Sequence, residues 1–364
     1  MSEWKEHKLG EIVAFGNGKE RPKEKGAIPV YGGNGILDYT NDSNYSGETV
    51  VIGRVGAYCG SVYYTNIPIW ISDNALAVKT KEGNDTKFIY YYLYHLNLND
   101  YAEGSSHPLV TQRLLNSIDI KIPTSLTVQK RIASILSSLD DKIDLLNREN
   151  VTLEAMAETL FRQWFIEETK EDWKEGKLGD ILSVKGGTTP STKEPSFWDG
   201  NIAWTSPRDV TTLNGLYLFK TEKTITEEGL KRISSGLLPK GTLLMSSRAP
   251  VGVLAFAEIP LAINQGYIAI LDDKGYAKEF IYLWLKANMD LVHSYSNGST
   301  FMEISKTAFK SLDIQIPSKA EVADFVSTVK PYFEKMKLNE QQIRLITRKK
   351  DILLPKLMSN EITI

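Results

Sequence analysis

Apolar residues recur every seven positions in two long stretches of the chain, residues 128–165 and residues 321–357. A sustained heptad pattern of this kind predicts two long coiled-coil helices. Asn150 and Asn339 fall at seam positions, where a polar residue typically fixes the helix register. Pro331 lies inside the second pattern, and we expect a kink or a break there. The seam positions are Ile132, Leu136, Leu139, Ile143, Leu146, Asn150, Leu153, Ala157, Leu160 and Trp164 in the first stretch, and Val322, Phe325, Val329, Tyr332, Met336, Asn339, Ile343, Ile346, Lys350, Leu353 and Leu357 in the second.

The segments that precede each heptad stretch have a different pattern, typical of short strands and turns. Ile28 to Tyr31 runs into a glycine-rich turn, and Thr49 to Gly53 is a second apolar run that ends in a turn. β-Branched and aromatic runs bounded by glycine predict strands. Lys87 to Leu98 has helical spacing instead. Each segment is therefore expected to form a mixed α/β domain.

The two mixed segments are copies of each other. Trp4 to Ile12 returns as Trp173 to Ile181, 169 positions later, and Asn116 to Pro123 returns as Lys310 to Pro317, 194 positions later. The growing offset places insertions in the second copy, and a repeat of this length is a duplicated domain and not a solenoid unit. If pseudo-twofold symmetry relates the copies, the two heptad helices run antiparallel within one chain. A zipper between chains, or core packing in a bundle, is the alternative.

The sequence thus predicts an α+β protein with two similar mixed α/β domains in tandem, separated by two long antiparallel coiled-coil helices and related by pseudo-twofold symmetry. We place the first domain at 1–125, the first helix at 126–168, the second domain at 169–317, the second helix at 318–358 and a tail at 359–364.

Composition narrows the class of protein. The formal net charge is −2 and the pI is about 6.2, so a nucleic-acid binder would need local basic faces or partners that supply charge. Cys59 is the single cysteine, which excludes an intramolecular disulfide and fits a reducing compartment. We find no signal peptide and no apolar run of membrane-spanning length, and expect a soluble cytoplasmic protein without membrane contact.

Motifs of catalysis are missing from the sequence. It contains no G-x-x-x-x-G-K-[ST] phosphate loop, no CxxC, no HExxH and no Pro-Pro, and its four histidines are scattered. We expect no catalytic residue, no metal and no cofactor. An enzyme with an unrecognised active site stays open as an alternative, with Glu303 or His107 as candidate groups.

Polar residues instead follow strands and glycine-hinged turns in both copies. Arg54 and Arg248 each follow an apolar strand, and we match Asn74 with Asn264 in the same way. Arginine can hold guanine with a bidentate fork, and asparagine or glutamine can bind adenine. Surface ion pairs and structural turns are the plainer interpretation of the same residues. The candidate DNA-contacting residues are Lys19, Asn34, Arg54, Asn74, Ser105, Ser106, His107, Lys185, Thr188, Thr189, Ser206, Arg208, Arg248, Asn264, Gln265, Ser299 and Thr300.

Together these features resemble the specificity subunit of type I restriction-modification enzymes. Both copies open with Trp-Lys-x-x-Lys-Leu-Gly-[Glu/Asp]-Ile, close with Ile-x-Ile-Pro and lead into a heptad helix; the segments Gly298–Ser305 and Leu353–Met358 add to the resemblance. It implies that each domain is a target recognition domain for one half of an asymmetric bipartite double-stranded DNA target. It also implies that the helices set the half-site spacing, that two adenine methyltransferase subunits dock on them, and that restriction-translocase subunits join the full complex.

The resemblance further implies that the chain itself is not catalytic. A coiled-coil scaffold for protein interactions, without DNA affinity, is the main alternative, because it suits the slightly acidic balance. The two hypotheses differ in salt dependence, since DNA affinity falls steeply with added salt.

Overall fold

The computed structural model describes residues 3–104, 108–298, 302–362 and 364. It divides into two compact units, one formed by Met1–Asp144 with Arg344–Ile364 and the other by Leu145–Ile343. Each unit contains one globular α/β domain and a part of both long helices. The expected α+β class, with two similar domains and two long helices, is confirmed.

The first domain begins with a strand and ends by entering the first long helix. Its elements in chain order are β1 (Trp4–Lys8), α1 (Leu9–Ile12), β2 (Val13–Asn17), β3 (Ile28–Gly32), β4 (Gly35–Thr40), β5 (Thr49–Gly53), β6 (Val62–Thr65), β7 (Trp70–Ile71), β8 (Ala75–Thr80), α2 (Thr86–His95), α3 (Gln112–Ser117), β9 (Asp119–Pro123) and α4 (Leu126–Arg162). Short 3₁₀ turns lie at Gly56–Tyr58 and Leu98–Tyr101, and a π-helical turn, Gln163–Glu167, follows α4.

The second domain repeats this order with additional elements after its third strand. They are β10 (Lys174–Lys177), α5 (Leu178–Ile181), β11 (Ser183–Lys185), β12 (Trp198–Thr205), α6 (Pro207–Thr211), β13 (Tyr217–Leu218), β14 (Lys223–Ile225), α7 (Glu227–Leu230), β15 (Leu243–Ser246), β16 (Leu254–Ala257), β17 (Leu261–Ile263), β18 (Tyr267–Leu271), α8 (Lys278–Ala287), α9 (Met289–Ser294), α10 (Lys306–Lys310), β19 (Asp313–Ile316) and α11 (Lys319–Met358). The insertions inferred from the growing offset therefore include α6, β13 and α7, whereas β14 pairs with β12 as β4 pairs with β3.

Two sheets pack face to face in each domain. In the first domain the strand orders are β2-β8-β5-β6 and β4-β3-β7, and in the second they are β11-β18-β15-β16-β13 and β14-β12-β17. Side chains alternate between the two faces of a strand. On β5, Val50 and Ile52 therefore enter the core that contains α2, whereas Val51 faces the residues around β7. On β15, Leu243 likewise enters the core that contains α8, whereas Leu244 faces the residues around β17.

The duplicated opening and closing motifs pair with each other inside each domain. β1 runs antiparallel to β9, and β10 runs antiparallel to β19. Lys8 Nζ lies 2.7 Å from an Asp119 carboxylate oxygen, and Lys177 Nζ lies 2.5 Å from Asp313. The sequence repeat is thus a repeat of one structural clasp, which closes each domain where its long helix begins.

Both long helices contribute a buried seam to each unit. In the first unit Ile132 and Leu136 of α4 share a core with Leu354 and Leu357 of α11. In the second unit the Phe161 ring meets the Phe325 ring edge-on at 5.9 Å. Several buried residues, namely Phe161, Phe333 and Leu354, lie one position beyond the predicted seam. A straight α-helix has 3.6 residues per turn, so its apolar stripe drifts away from a strict seven-residue repeat.

The expected break at Pro331 does not occur, because α11 runs without interruption from Lys319 to Met358. Pro331 is exposed, while its neighbours Val329 and Phe333 are buried. Proline removes one backbone donor, and the packing on either side holds the rest of the helix in place. Ser318 and Glu321 also cap the start of α11, because the Ser318 N–H donates to the Glu321 carboxylate at 2.9 Å and the Glu321 N–H donates to the Ser318 hydroxyl at 3.2 Å.

Candidate nucleic-acid interface

Four strand ends of the first domain meet at one edge, which we call the first rim: residues 17–19, 32–34, 53–55 and 72–75. The Arg54 N–H donates to the Asn74 carbonyl at 2.9 Å, and the Lys19 N–H donates to the Ile71 carbonyl at 3.0 Å. A Cβ added to Gly33 would lie 3.6 Å from the Val55 carbonyl and 3.7 Å from that of Asn74. The fold thereby brings together the candidate residues Lys19, Asn34, Arg54 and Asn74.

The backbone of Arg54 is fixed from both sides. Its carbonyl accepts the Val110 N–H at 3.0 Å and the Cys59 thiol at 3.2 Å. Burial raises the pKa of the Cys59 thiol, so this cysteine stays a neutral donor. The Arg54 Nε is buried, and among the described residues it has no hydrogen-bond partner. A guanidinium group with one unpaired donor, on a rigid turn, is suited to an acceptor supplied by a ligand.

The second domain has an equivalent edge, the second rim: residues 186–188, 206–208, 246–248 and 264–267. The Ser247 N–H donates to the Gly266 carbonyl at 2.8 Å, and the Ser247 carbonyl accepts the Ile304 N–H at 3.0 Å. These bonds correspond to those that Arg54 makes with Asn74 and Val110. Gly18 and Gly187 occupy similarly crowded positions, because a Cβ on either would lie 1.7 Å from a backbone carbonyl oxygen, that of Ser72 or of Ile263.

This correspondence corrects the match between Arg54 and Arg248. Arg54 is equivalent to Ser247, while Arg248 is equivalent to Val55, since Val55 bridges to Leu109 as Arg248 bridges to Glu303. Strand pairing, not residue type, decides which positions are equivalent: strand register gives an offset of 193 positions here, whereas matching the two arginines takes 194.

The match between Asn74 and Asn264 is wrong for the same reason. The Asn264 N–H donates to the Thr205 carbonyl at 3.0 Å, as the Ser72 N–H donates to the Tyr31 carbonyl at 2.8 Å, so Asn264 is equivalent to Ser72. The Asn264 side chain is buried, and its Oδ1 accepts the Gly266 N–H at 2.8 Å, a bond internal to the turn.

Other candidates in or next to the second rim divide between structural and exposed positions. The Thr188 hydroxyl donates to the Arg232 carbonyl at 2.8 Å, the Thr189 hydroxyl donates to Gln265 Oε1 at 2.6 Å, and the Ser206 N–H donates to Asp209 at 2.9 Å. Lys185 is exposed, although its Nζ lies 3.3 Å from the Ser235 carbonyl.

Arg208 is the most open arginine of the two rims, with 77% of its side chain exposed and Glu222 3.9 Å from its Nε. Gln265 is exposed as well. The candidates Ser105, Ser106, His107, Ser299 and Thr300 lie outside the described residues.

A profile for the type I restriction modification DNA specificity domain matches residues 1–155 and 170–348. The chain belongs to this type I specificity family. Each matched segment contains one rim and most of the long helix that follows it, so the family assignment covers both copies of the duplicated domain.

Named relatives of this specificity-family chain include specificity subunits from two organisms. The MjaIX specificity subunit of Methanocaldococcus jannaschii is 36% identical over 194 residues, which is 53% of this chain and 45% of that protein. The HindI specificity subunit of Haemophilus influenzae is 23% identical over 336 residues, 72% of each protein. A solved structure of the S subunit of a type I restriction-modification system from M. genitalium matches 98% of this chain and 96% of that one, with a TM-score of 0.67 and 17% identity, and shows the shared fold.

Sequence reasoning about this specificity-family protein missed residues that the rims place beside its candidates. Ser247 is equivalent to Arg54, and its buried hydroxyl also has no hydrogen-bond partner among the described residues. Tyr58 follows Arg54 on a 3₁₀ turn and is 52% exposed. An offset taken from strand register could have found Ser247; nothing in the local sequence indicates that Tyr58 is exposed. No helix in the described part of the chain is long and apolar enough to cross a membrane.

Proposed function

We propose that this chain is the non-catalytic recognition subunit of a type I restriction-modification complex, in which each domain binds one half of a bipartite double-stranded DNA target. The observation that carries the proposal is the pair of rims, where one backbone hydrogen-bond pattern presents different polar side chains. Arg54 and Ser247 are equivalent, as are Val55 and Arg248. Direct recognition of bases depends on such donors and acceptors, held on a fixed backbone.

The differences between the rims support an asymmetric target. Asn34 lies on the turn after β3, whereas Arg208 lies on α6, the short helix that follows β12. Asparagine pairs best with adenine and arginine with guanine, so equivalent positions would select different bases. Two domains with the same scaffold and different tips would therefore bind two different half-sites.

The long helices are proposed to set the distance between the half-sites. In the second unit Asn339 Nδ2 donates to Asn150 Oδ1 at 2.8 Å, and in the first unit Lys350 Nζ lies 2.6 Å from Asp140. Each contact joins α4 to α11 beside the apolar seam within its own unit, as a pair of spacer helices requires.

A second apolar stripe on α11 supports docking of two adenine methyltransferase subunits on these helices. Leu338, Leu345 and Ile352 lie seven residues apart outside the buried seam, and are 58%, 62% and 52% exposed. Regularly spaced exposed leucines on a helix favour burial against a partner helix. The partners would also supply phosphate contacts that a chain of net charge −2 provides poorly, and restriction-translocase subunits would complete the assembly.

The test is co-expression with an adenine methyltransferase subunit, followed by single-molecule sequencing of host DNA for N6-methyladenine. We expect an asymmetric bipartite motif that disappears when this chain is omitted. Arg54→Ala should relax base preference in one half of the motif and Arg248→Ala in the other, so each variant is the control for the other. An unchanged motif in both variants would refute the residue assignment. A stable complex that methylates no motif would favour the scaffold hypothesis.

A further inference from the structure

A glutamate of the second long helix binds the backbone of the second domain. Glu340 is only 6% exposed, and its carboxylate oxygens accept the N–H groups of Leu216 at 2.7 Å and Tyr217 at 3.1 Å. Hydrogen bonds from backbone N–H groups to a buried carboxylate are charge-assisted and stronger than neutral ones. We call these two bonds the Glu340 latch.

Two neighbouring contacts support the latch. The Tyr217 hydroxyl donates to the Phe333 carbonyl at 2.7 Å, two helical turns before Glu340. Gly215 has a φ of +148°, and a Cβ placed there would lie 2.5 Å from Glu340 Oε2. The segment therefore requires glycine at 215 for the carboxylate to approach the two N–H groups.

The latched segment continues from the helix that carries Arg208. α6 ends at Thr211, and the chain reaches Leu216 after a short turn. The Leu216 carbonyl then accepts the Phe256 N–H at 2.9 Å as β13 begins. Asp209 of α6 accepts the Glu222 N–H at 2.8 Å, so α6 is also tied to the chain beyond β13.

Apolar packing does not fill the space beside this turn. A cavity of about 490 Å³ is bordered by Asn214, Gly215, Leu216 and Glu340. A turn that borders a cavity lacks close packing on that side, so its hydrogen bonds contribute more to its position. In the first domain, Gly32 pairs with Gly35 in a tight turn between β3 and β4, so the equivalent segment there is too short to make a latch.

We propose that Glu340 is a positioning residue that couples α11 to the Arg208-bearing helix, so that recognition of the second half-site depends on the spacer helix. The proposal rests on the proposed function of Arg208 in DNA binding. The latch is confined to the second domain, and its loss should therefore affect the two half-sites unequally.

The test uses the full chain co-expressed with a methyltransferase subunit and a plasmid library in which each base of either half-site is varied in turn. Complexes that contain Glu340→Ala or Gly215→Ala should discriminate between bases at the second half-site about tenfold less well than the wild-type complex does. Their discrimination at the first half-site should stay at the wild-type level. Glu340→Gln keeps an acceptor oxygen and should fall between wild type and Glu340→Ala. Ile281→Val, which trims the same buried core away from the latch, is the matched control.

The outcomes separate the latch from general destabilisation and from the proposed function. Equal loss at both half-sites, or loss in Ile281→Val as large as in Glu340→Ala, would overturn the latch. Unchanged discrimination in Glu340→Ala and Gly215→Ala would do the same while leaving the recognition function intact. Absence of any motif with the wild-type chain would instead contradict the recognition function. If Glu340→Ala does not fold, Glu340→Gln provides the same comparison.

Discussion

Removing one heptad from both long helices at once should shorten the target spacing and leave both half-sites unchanged. The segments to delete are residues 142–148 of α4 and 341–347 of α11, which lie between the two polar seam contacts. Asp140 then still meets Lys350, and Asn150 still meets Asn339, because seven residues restore the phase of the seam.

The expected displacement follows from helix geometry. Seven residues at about 1.5 Å each shorten a helix by about 10 Å. B-form DNA advances by about 3.4 Å per base pair along each strand, so the spacing should shorten by up to about three base pairs. Deleting a heptad from α4 alone would instead separate Asn339, which is 1% exposed, from Asn150 and Glu149. An unpaired buried amide costs about 1–3 kcal/mol, so this variant should be less stable and should give no new motif.

The assay is motif discovery by N6-methyladenine sequencing, with thermal unfolding as the check on stability. The double deletion should yield the wild-type half-sites at a shorter spacing, and each single deletion serves as its control. A double-deletion complex that methylates the wild-type spacing would refute the role of the helices as a spacer.

Three further predictions concern stability. Lys170 and Ser318 hold the pKa of Glu321 at about 2 in the folded protein. Because this folded-state pKa is depressed, the stability that the Glu321 carboxylate contributes is complete above about pH 4.5 and is lost as pH falls toward 2. The Tm of the wild type should therefore fall further than the Tm of Lys170→Met when the pH is lowered from about 6 to about 3. Equal decreases in the two proteins would contradict this. Gly187→Ala should strongly raise the amide hydrogen-exchange rates of the second domain and leave those of the first domain unchanged, because the added Cβ would lie 1.7 Å from the Ile263 carbonyl oxygen. Lys350→Met should cost about 1–2 kcal/mol in urea unfolding by leaving Asp140 without its cation, whereas Asp140→Asn with Lys350→Met, which removes the charge and keeps an acceptor for the Tyr91 hydroxyl, should cost less; a larger loss in the double variant would argue against the pair.

The long helices could be predicted because their pattern repeats over many turns. The drift of burial to Phe161, Phe333 and Leu354 could not, since a strict seven-residue period differs from the 3.6-residue turn. The passage of α11 through Pro331 depends on packing that the local sequence does not reveal.

Candidate residues on the rims could be found by type but not by equivalence. Arg54 and Arg248 look alike in sequence, yet strand register assigns Arg54 to Ser247. The role of Glu340 was hidden for a different reason: its partners are backbone N–H groups 124 and 123 residues away, which carry no side-chain signal.

The buried cysteine beside the first rim offers a natural chemical reporter. Cys59 is 2% exposed, and its thiol bonds to the carbonyl of Arg54. A thiol reagent can modify it only when the turn around Arg54 opens, so the labelling rate measures how often that turn opens. DNA that engages Arg54 would slow the labelling, and occupancy of the first half-site could then be followed without attaching any probe to the protein.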